Sequence, residues 1–199
     1  MIGLWRYPVK SMAGEALDAV DVSRHGLEHD RRWAFLRDDV PRSGFPWLTI
    51  RQIPELVLYR PRIDGDRVLV RTPSGEEVDV LELPLGRALK LDRGAFDEAP
   101  VSLLSTASVG EYDVRRFRPN VLIASDAEEH EWVGAELRIG VLRVRVDERD
   151  VRCAIVNVDP DTAERDPRVL KAVAPCFGVY ATVVEPGRVG VGDPVHLVG

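Results

Sequence analysis

Between Leu56 and Leu83 the chain repeats one device: a short run of alternating apolar and polar residues closed by a turn signal. Leu56 to Ile63 and Arg67 to Arg71 flank Asp64-Gly65, and Pro73-Ser74-Gly75 precedes a period-two run from Glu77 to Leu83. Period two puts every second side chain on one face of a strand, and Asp-Gly supplies the positive φ of a tight hairpin. Similar runs span Gly3 to Val9, Ala16 to Val22, Arg32 to Arg37, Leu137 to Val146 around Gly140, Val179 to Val184 and Pro194 to Val198. Helical periodicity is scarce. Thr106 to Arg116 is one candidate, capped by Ser105 or Thr106. Pro167 to Val173 is the better one, with Asp166 as cap, Pro167 in the first turn and Val169, Leu170 and Val173 on one face. The expected fold class is mainly β with few short helices, arranged as a closed barrel or sandwich. Periodicity lapses from Pro84 to Pro100, which places a boundary near residue 95 and predicts two units, 1–95 and 96–199.

The 199 residues carry enough apolar mass for a core, at 45% hydrophobic. No apolar run approaches the roughly 20 residues of a membrane helix, and no basic leader with an apolar block opens the chain. Two cysteines are too few for a disulfide scaffold, so a reducing, cytoplasmic location is expected. The net charge of −6 argues against a nucleic-acid partner. It does not argue against a small anionic ligand, because a local arginine cluster can oppose the global sign.

The chemistry-bearing segments lie far apart in the chain. Tyr7-Pro8-Val9-Lys10-Ser11 sets a cation beside a hydroxyl at a turn, without the Gly-rich loop of a nucleotide cradle. Asp30-Arg31-Arg32-Trp33 reads as a strand with one arginine out and Trp33 in. Arg115-Arg116-Phe117-Arg118-Pro119-Asn120 offers guanidinium forks that match oxyanion geometry, or simply a solvated helix end. Arg152-Cys153 ends a strand pattern, where a buried core cysteine is the usual outcome and the two neighbours point to opposite faces. Cys176, between Pro175 and Phe177-Gly178, reads as a loop thiol open to reaction or ligation. There is no Cys-x-x-Cys, no His-x-x-x-His in a helical setting and no Gly-x-Ser-x-Gly, so zinc and serine hydrolase machinery is not visible.

Taken in order, these segments resemble the MOSC family, named from the C-terminal part of molybdenum cofactor sulfurases. The resemblance is to its branch with the mitochondrial amidoxime-reducing component and related bacterial proteins. Tyr7-Pro8-Val9-Lys10-Ser11, Gly26-Leu27, Asp30-Arg31-Arg32-Trp33 and Arg51-Gln52 resemble its N-terminal β-barrel-like subdomain. Leu104-Ser105, Phe117-Arg118-Pro119-Asn120, Arg152-Cys153, Asp159-Pro160-Asp161-Thr162 and Phe177-Gly178-Val179-Tyr180 resemble its β-barrel core. The resemblance implies a molybdenum cofactor (molybdopterin) gripped by Lys10, Ser11, Arg31 and Arg118, with Ser105 and Asn120 nearby. It also implies a cysteine ligand to the metal. Cys176 stands beyond Leu170-Lys171 at the spacing of that ligand, whereas Cys153 matches the Arg-Cys motif; Cys176 is the expected ligand and Cys153 the fallback. Ala163 departs from the glycine usual after Asp-Thr. The implied activity is an oxidoreductase acting on small N-hydroxylated or N-oxide-type substrates. Without iron-sulfur, flavin or dinucleotide motifs, its electrons must come from a separate reductase. The alternative is a cofactor or sulfur carrier with a cysteine persulfide, partnered by a cysteine desulfurase.

Overall fold

The computed structural model describes residues 1–38, 45–96 and 98–198. Its largest sheet has eight strands, in the spatial order Val195–Val198, Glu136–Ile139, Leu142–Val151, Cys176–Glu185, Val101–Ser105, Val121–Ile123, Gly3–Arg6 and Glu15–Ala16. All neighbours are antiparallel except Val101–Ser105 and Val121–Ile123, which run parallel. The outermost strands do not pair with each other, so the closed barrel expected from the sequence is instead an open, β-rich sheet. Three smaller sheets complete the fold. They comprise Arg60–Asp64 with Arg67–Arg71 and Glu77–Asp79, Gly187–Gly190 with Ala19–Ser23 and Gly26–Leu27, and Trp33–Phe35 with Ala88–Lys90.

Local expectations hold best where a turn residue enforces them. Asp64 pairs with Arg67, so the hairpin turns on Gly65-Asp66, one residue later than the sequence suggested, with Gly65 at φ +60°. The helix Pro167–Val173 starts on an Asp166 carboxylate that accepts from the Arg168 N–H. The other helix is cut short. Thr106–Val109 ends at Gly110, which turns to φ +54°, and Asp113 then caps a separate 3-10 turn at Val114–Arg116. Glu77 to Leu83 likewise gives a strand only to Asp79, whose carboxylate accepts from the Leu81 N–H and starts a 3-10 turn.

Burial divides into three clusters. The first joins Met1, Leu4, Val20, Val22 and Leu27 to the inner faces of the C-terminal strands, Val144, Val146, Val179 and Ala181 among them. The second gathers Val9, Met12, Phe35, Leu56, Val70 and Val80, closed by Val158 from the far end of the chain. A third, smaller cluster packs Leu104, Phe117, Val156, Val169 and Val173 under the helix Pro167–Val173. Leu4 belongs to the first core and Val9 to the second, so Tyr7 to Ser11 crosses the seam between them.

Candidate functional site

At that seam lies a cleft of about 550 Å³. Lys10, Ser11, Arg31, Arg118 and Cys153 all line it. The backbone that brings them together is cross-braced. The Tyr7 N–H donates to the Asp30 carboxylate at 2.6 Å, the Arg31 N–H to the Tyr7 carbonyl at 2.7 Å, and the Lys10 N–H to the Trp33 carbonyl at 2.8 Å. Ser11, Arg31 and Arg118 each sit at positive φ, at +68°, +50° and +52°. Among the described residues only His29 and Ala163 are other non-glycines in that region. Such a conformation costs about 1–3 kcal/mol each and clusters where function requires it.

The basic groups are held, not loose. The Arg31 guanidinium meets Asp30 at 2.5 Å and donates to the Asn120 side-chain oxygen and to the Arg118 carbonyl, both at 3.3 Å. Arg118 donates to the Met12 carbonyl and lies 4.3 Å from the centre of the Tyr7 ring, with Arg31 4.9 Å from the same ring. Burial pushes the Tyr7 hydroxyl well above its usual pKa, with Arg118 and Arg31 opposing the shift; the ring stays neutral beneath the two forks. Lys10 is only 8% exposed, donates to the Ala95 carbonyl at 3.1 Å and lies 5.9 Å from the Phe45 ring. Each of these contacts fixes a cation whose charge faces the cleft wall, the arrangement that receives an anion.

Two residues marked by the sequence do not line the cleft. Asn120 is fully buried. Its carbonyl oxygen accepts from the Ser102 N–H and hydroxyl, and its amide donates to the Trp5 carbonyl and Asp30. Ser105, also fully buried, caps Thr106–Val109 and donates to the Ala127 carbonyl at 2.7 Å. Both are saturated inside the protein. Ser102, which no motif singled out, does line the cleft.

The cysteines part company. Cys153 is exposed and lines the cleft. Cys176, expected in a loop, is the first residue of the strand Cys176–Glu185, opposite Val151. It is partly buried in a separate pocket of about 160 Å³ with Glu128, Glu129, His130 and Arg149. The loop reading failed because an irregular register absorbs Phe177-Gly178: Arg149 faces Val179, yet Val151 faces Cys176. Gly178, at φ +91°, supplies that bulge, and a Cβ there would come within 2.6 Å of the Arg152 guanidinium. Arg152 turns away from Cys153, as strand alternation requires. It pairs with Asp150 at 2.8 Å and donates to the Phe117 carbonyl at 2.8 Å and to the Phe177 carbonyl. Its other terminal nitrogen is buried against Gly178 with no acceptor among the described residues. Asp150-Val151-Arg152 carried a signal for this pair, since residues two apart share a strand face.

Fold and cleft together define a β-rich protein with one wide cavity that presents basic forks and a single thiol. The chain belongs to the MOSC family: the MOSC domain matches residues 90–196 and the MOSC N-terminal beta barrel domain residues 1–113. It is 27% identical to mitochondrial amidoxime reducing component 2 of Bos taurus, an alignment of 283 positions covering 97% of this chain and 81% of that one. It is 25% identical to mitochondrial amidoxime-reducing component 1 of Homo sapiens, covering 98% and 82%. It is also 24% identical to the molybdenum cofactor sulfurase of Caenorhabditis briggsae, covering 99% of this chain but 36% of that protein. Among solved structures the YuaD protein of Bacillus subtilis shares the fold, with a TM-score of 0.55 and 14% identity over 97% of this chain and 91% of that one. Among the described residues no helix is long and apolar enough to cross a membrane.

Proposed function

We propose that the cleft binds a molybdenum cofactor and that the protein is a cytoplasmic oxidoreductase for small N-hydroxylated or N-oxide-type substrates, fed electrons by a separate reductase. The observation that carries this reading is the convergence of Lys10, Ser11, Arg31, Arg118 and Cys153 on one cleft. The names of the relatives, amidoxime-reducing components and a molybdenum cofactor sulfurase, support it from outside.

The donor set fits that group. No cluster of three or more His, Cys, Asp or Glu among the described residues would hold a bare metal ion. A metal arriving with its own anionic pterin needs only one soft protein ligand and cations for the rest. Cys153 supplies the first. Arg31 and Arg118, flattened on Tyr7, offer planar forks to the phosphate and pterin oxygens. Lys10 adds a point charge and Ser11 a hydroxyl. Asn120 positions Arg31 from behind. In this reading the metal ligand moves from Cys176 to Cys153, because Cys153 shares the cleft with Lys10, Ser11, Arg31 and Arg118 while Cys176 opens into a different pocket. When bound, the cofactor supplies the two-electron chemistry that takes oxygen from nitrogen. The cation-lined walls hold it and leave the exposed Cys153 end open to substrate. The same reading treats 1–95 and 96–199 as two units meeting at the cleft.

Metal analysis of the purified protein, with fluorescence of the oxidised pterin, tests the reading. Molybdenum and pterin in near-equal amounts are expected, both lost together in Arg31→Ala. Protein that carries neither after expression in molybdate-replete cells would overturn it.

A further inference from the structure

Cys153 and Cys176 are 23 positions apart in sequence, yet the strand register makes them neighbours. Val151 stands directly opposite Cys176, and the next rung is kept by the Arg152 N–H donating to the Pro175 carbonyl at 3.2 Å. The ladder therefore continues past Val151. Side chains alternate along it, so Val151, Cys153 and Cys176 project from one face, while Arg152 and Phe177 project from the other. Burial agrees: Val151 and Cys153 are exposed and Arg152 is not. Val151 is 71% exposed, so nothing covers this face between the two thiols. Arg149 lines both the large cleft and the Cys176 pocket, so the two cavities adjoin.

We propose that Cys153 and Cys176 form a redox pair, in which a hydroperoxide oxidises the cleft thiol and Cys176 resolves it to an intrachain disulfide. This rests on Cys153 being the thiol of the cleft. Diagonal neighbours on an antiparallel pair lie about 7–8 Å apart between Cα atoms, and a disulfide accepts up to about 6.8 Å. The closing movement falls where the strand Leu142–Val151 has ended and Cys153 caps the 3-10 turn Ala154–Asn157. The chemistry balances. The Cys153 thiolate attacks the peroxide, the O–O bond breaks, and Cys153 sulfenic acid and one hydroxide or alkoxide result. The Cys176 thiol then attacks the sulfenic sulfur, the S–S bond forms and water leaves. Two electrons pass from the thiols to the peroxide. The product withdraws Cys153 from ligation while sparing it irreversible oxidation.

The test uses the full chain from molybdate-starved and molybdate-replete cells, treated with hydrogen peroxide and read by peptide mass spectrometry. Starved protein should yield a linked Cys153–Cys176 peptide two mass units below the sum of its parts, cleaved by a thiol reductant. In Cys176→Ser and in Cys176→Ala, Cys153 should instead accumulate sulfinic and sulfonic acid about tenfold faster. No linked peptide, with equal overoxidation of Cys153 whether or not Cys176 is present, overturns the pair. The replete sample addresses the cofactor separately. Protection of Cys153 there is expected if it ligates the metal, whereas a disulfide that forms equally in both samples supports the pair and sinks the ligand assignment.

Discussion

The cleft and the Cys176 pocket adjoin along Arg149 and each holds one thiol, but they differ in the charge around it. The cleft sets Lys10, Arg31, Arg51, Arg118, Arg149 and Arg152 against Glu98, Glu148 and Asp150, whereas the pocket sets Glu128 and Glu129 against Arg149 beside His130. Glu129 is buried and spends both oxygens on backbone, accepting from the Ser105 N–H at 2.9 Å and the Gly178 N–H at 2.7 Å. A carboxylate fixed there repels an anion, and at about 4 Å such a term reaches a few kcal/mol near a protein surface. The two thiols are thus set apart by the balance of charge around each. A net charge of −6 gave no hint of this, because binding reads local potential and not the total.

The largest effect that would separate the two regions is metal content. Cys153→Ala should lose molybdenum by more than about tenfold, while Cys176→Ala keeps it, measured by plasma emission on purified protein. The reverse pattern would return the ligand role to Cys176. Next come two of the three buried carboxylates among the described residues, Asp30 and Glu129. Asp30 is fully buried and holds the Tyr7 N–H, Arg31 and Asn120, so Asp30→Ala should cost about 3–5 kcal/mol in urea unfolding. Glu129→Gln keeps its shape and loses one acceptor, so a smaller loss of about 1–3 kcal/mol is expected. A third contrast concerns geometry. Arg118→Lys preserves charge but not the fork stacked on Tyr7, and pterin retention should fall about tenfold with little change in melting temperature. Fourth is the strain comparison: Ser11 and Ala163 both adopt positive φ, one inside the cleft and one outside it. Ala163→Gly should stabilise the fold by about 1 kcal/mol and leave cofactor content unchanged, whereas Ser11→Gly relieves the same strain yet weakens binding.

The smallest effect is at the surface, where Arg115 meets Asp113 and Asp161, both at distances near a hydrogen bond. Hydrogen bonds from Arg115 hold both carboxylates below their usual pKa. Their folded-state pKa being depressed, they add stability above the ordinary carboxylate range of about pH 4, and that contribution disappears as pH falls through the folded values. Exposure limits it to no more than about 1 kcal/mol, so Asp161→Asn should flatten the acid limb of the stability profile only slightly.

Legibility in the sequence followed the range of the forces involved. The Gly65 hairpin and the Asp166 cap were readable, since a turn residue or a capping carboxylate acts within three or four positions. The helix expected over Thr106 to Arg116 was not, because Gly110 in a left-handed turn outweighs the surrounding propensity. Ala163 looked like a departure from pattern, and the chain keeps the left-handed turn there regardless. Asn120 and Ser105 were marked for their polar groups, and the fold turned both inward, Asn120 onto Ser102 and Arg31 of the cleft and Ser105 onto the Ala127 carbonyl away from it. Arg149, which borders both cavities, had no local mark at all.

Composition and spacing by themselves determined a strand-rich chain, cations at Lys10, Arg31 and Arg118, a hydroxyl at Ser11, and two thiols. Those properties are covalent or act over a few residues. Which thiol lines the basic cleft was decided only by the tertiary structure, in which Leu142–Val151 pairs with Cys176–Glu185. Register is a contact between distant segments, settled by the burial of Val144, Val146, Val179 and Ala181, and a one-residue slip would have turned Cys176 to the opposite face.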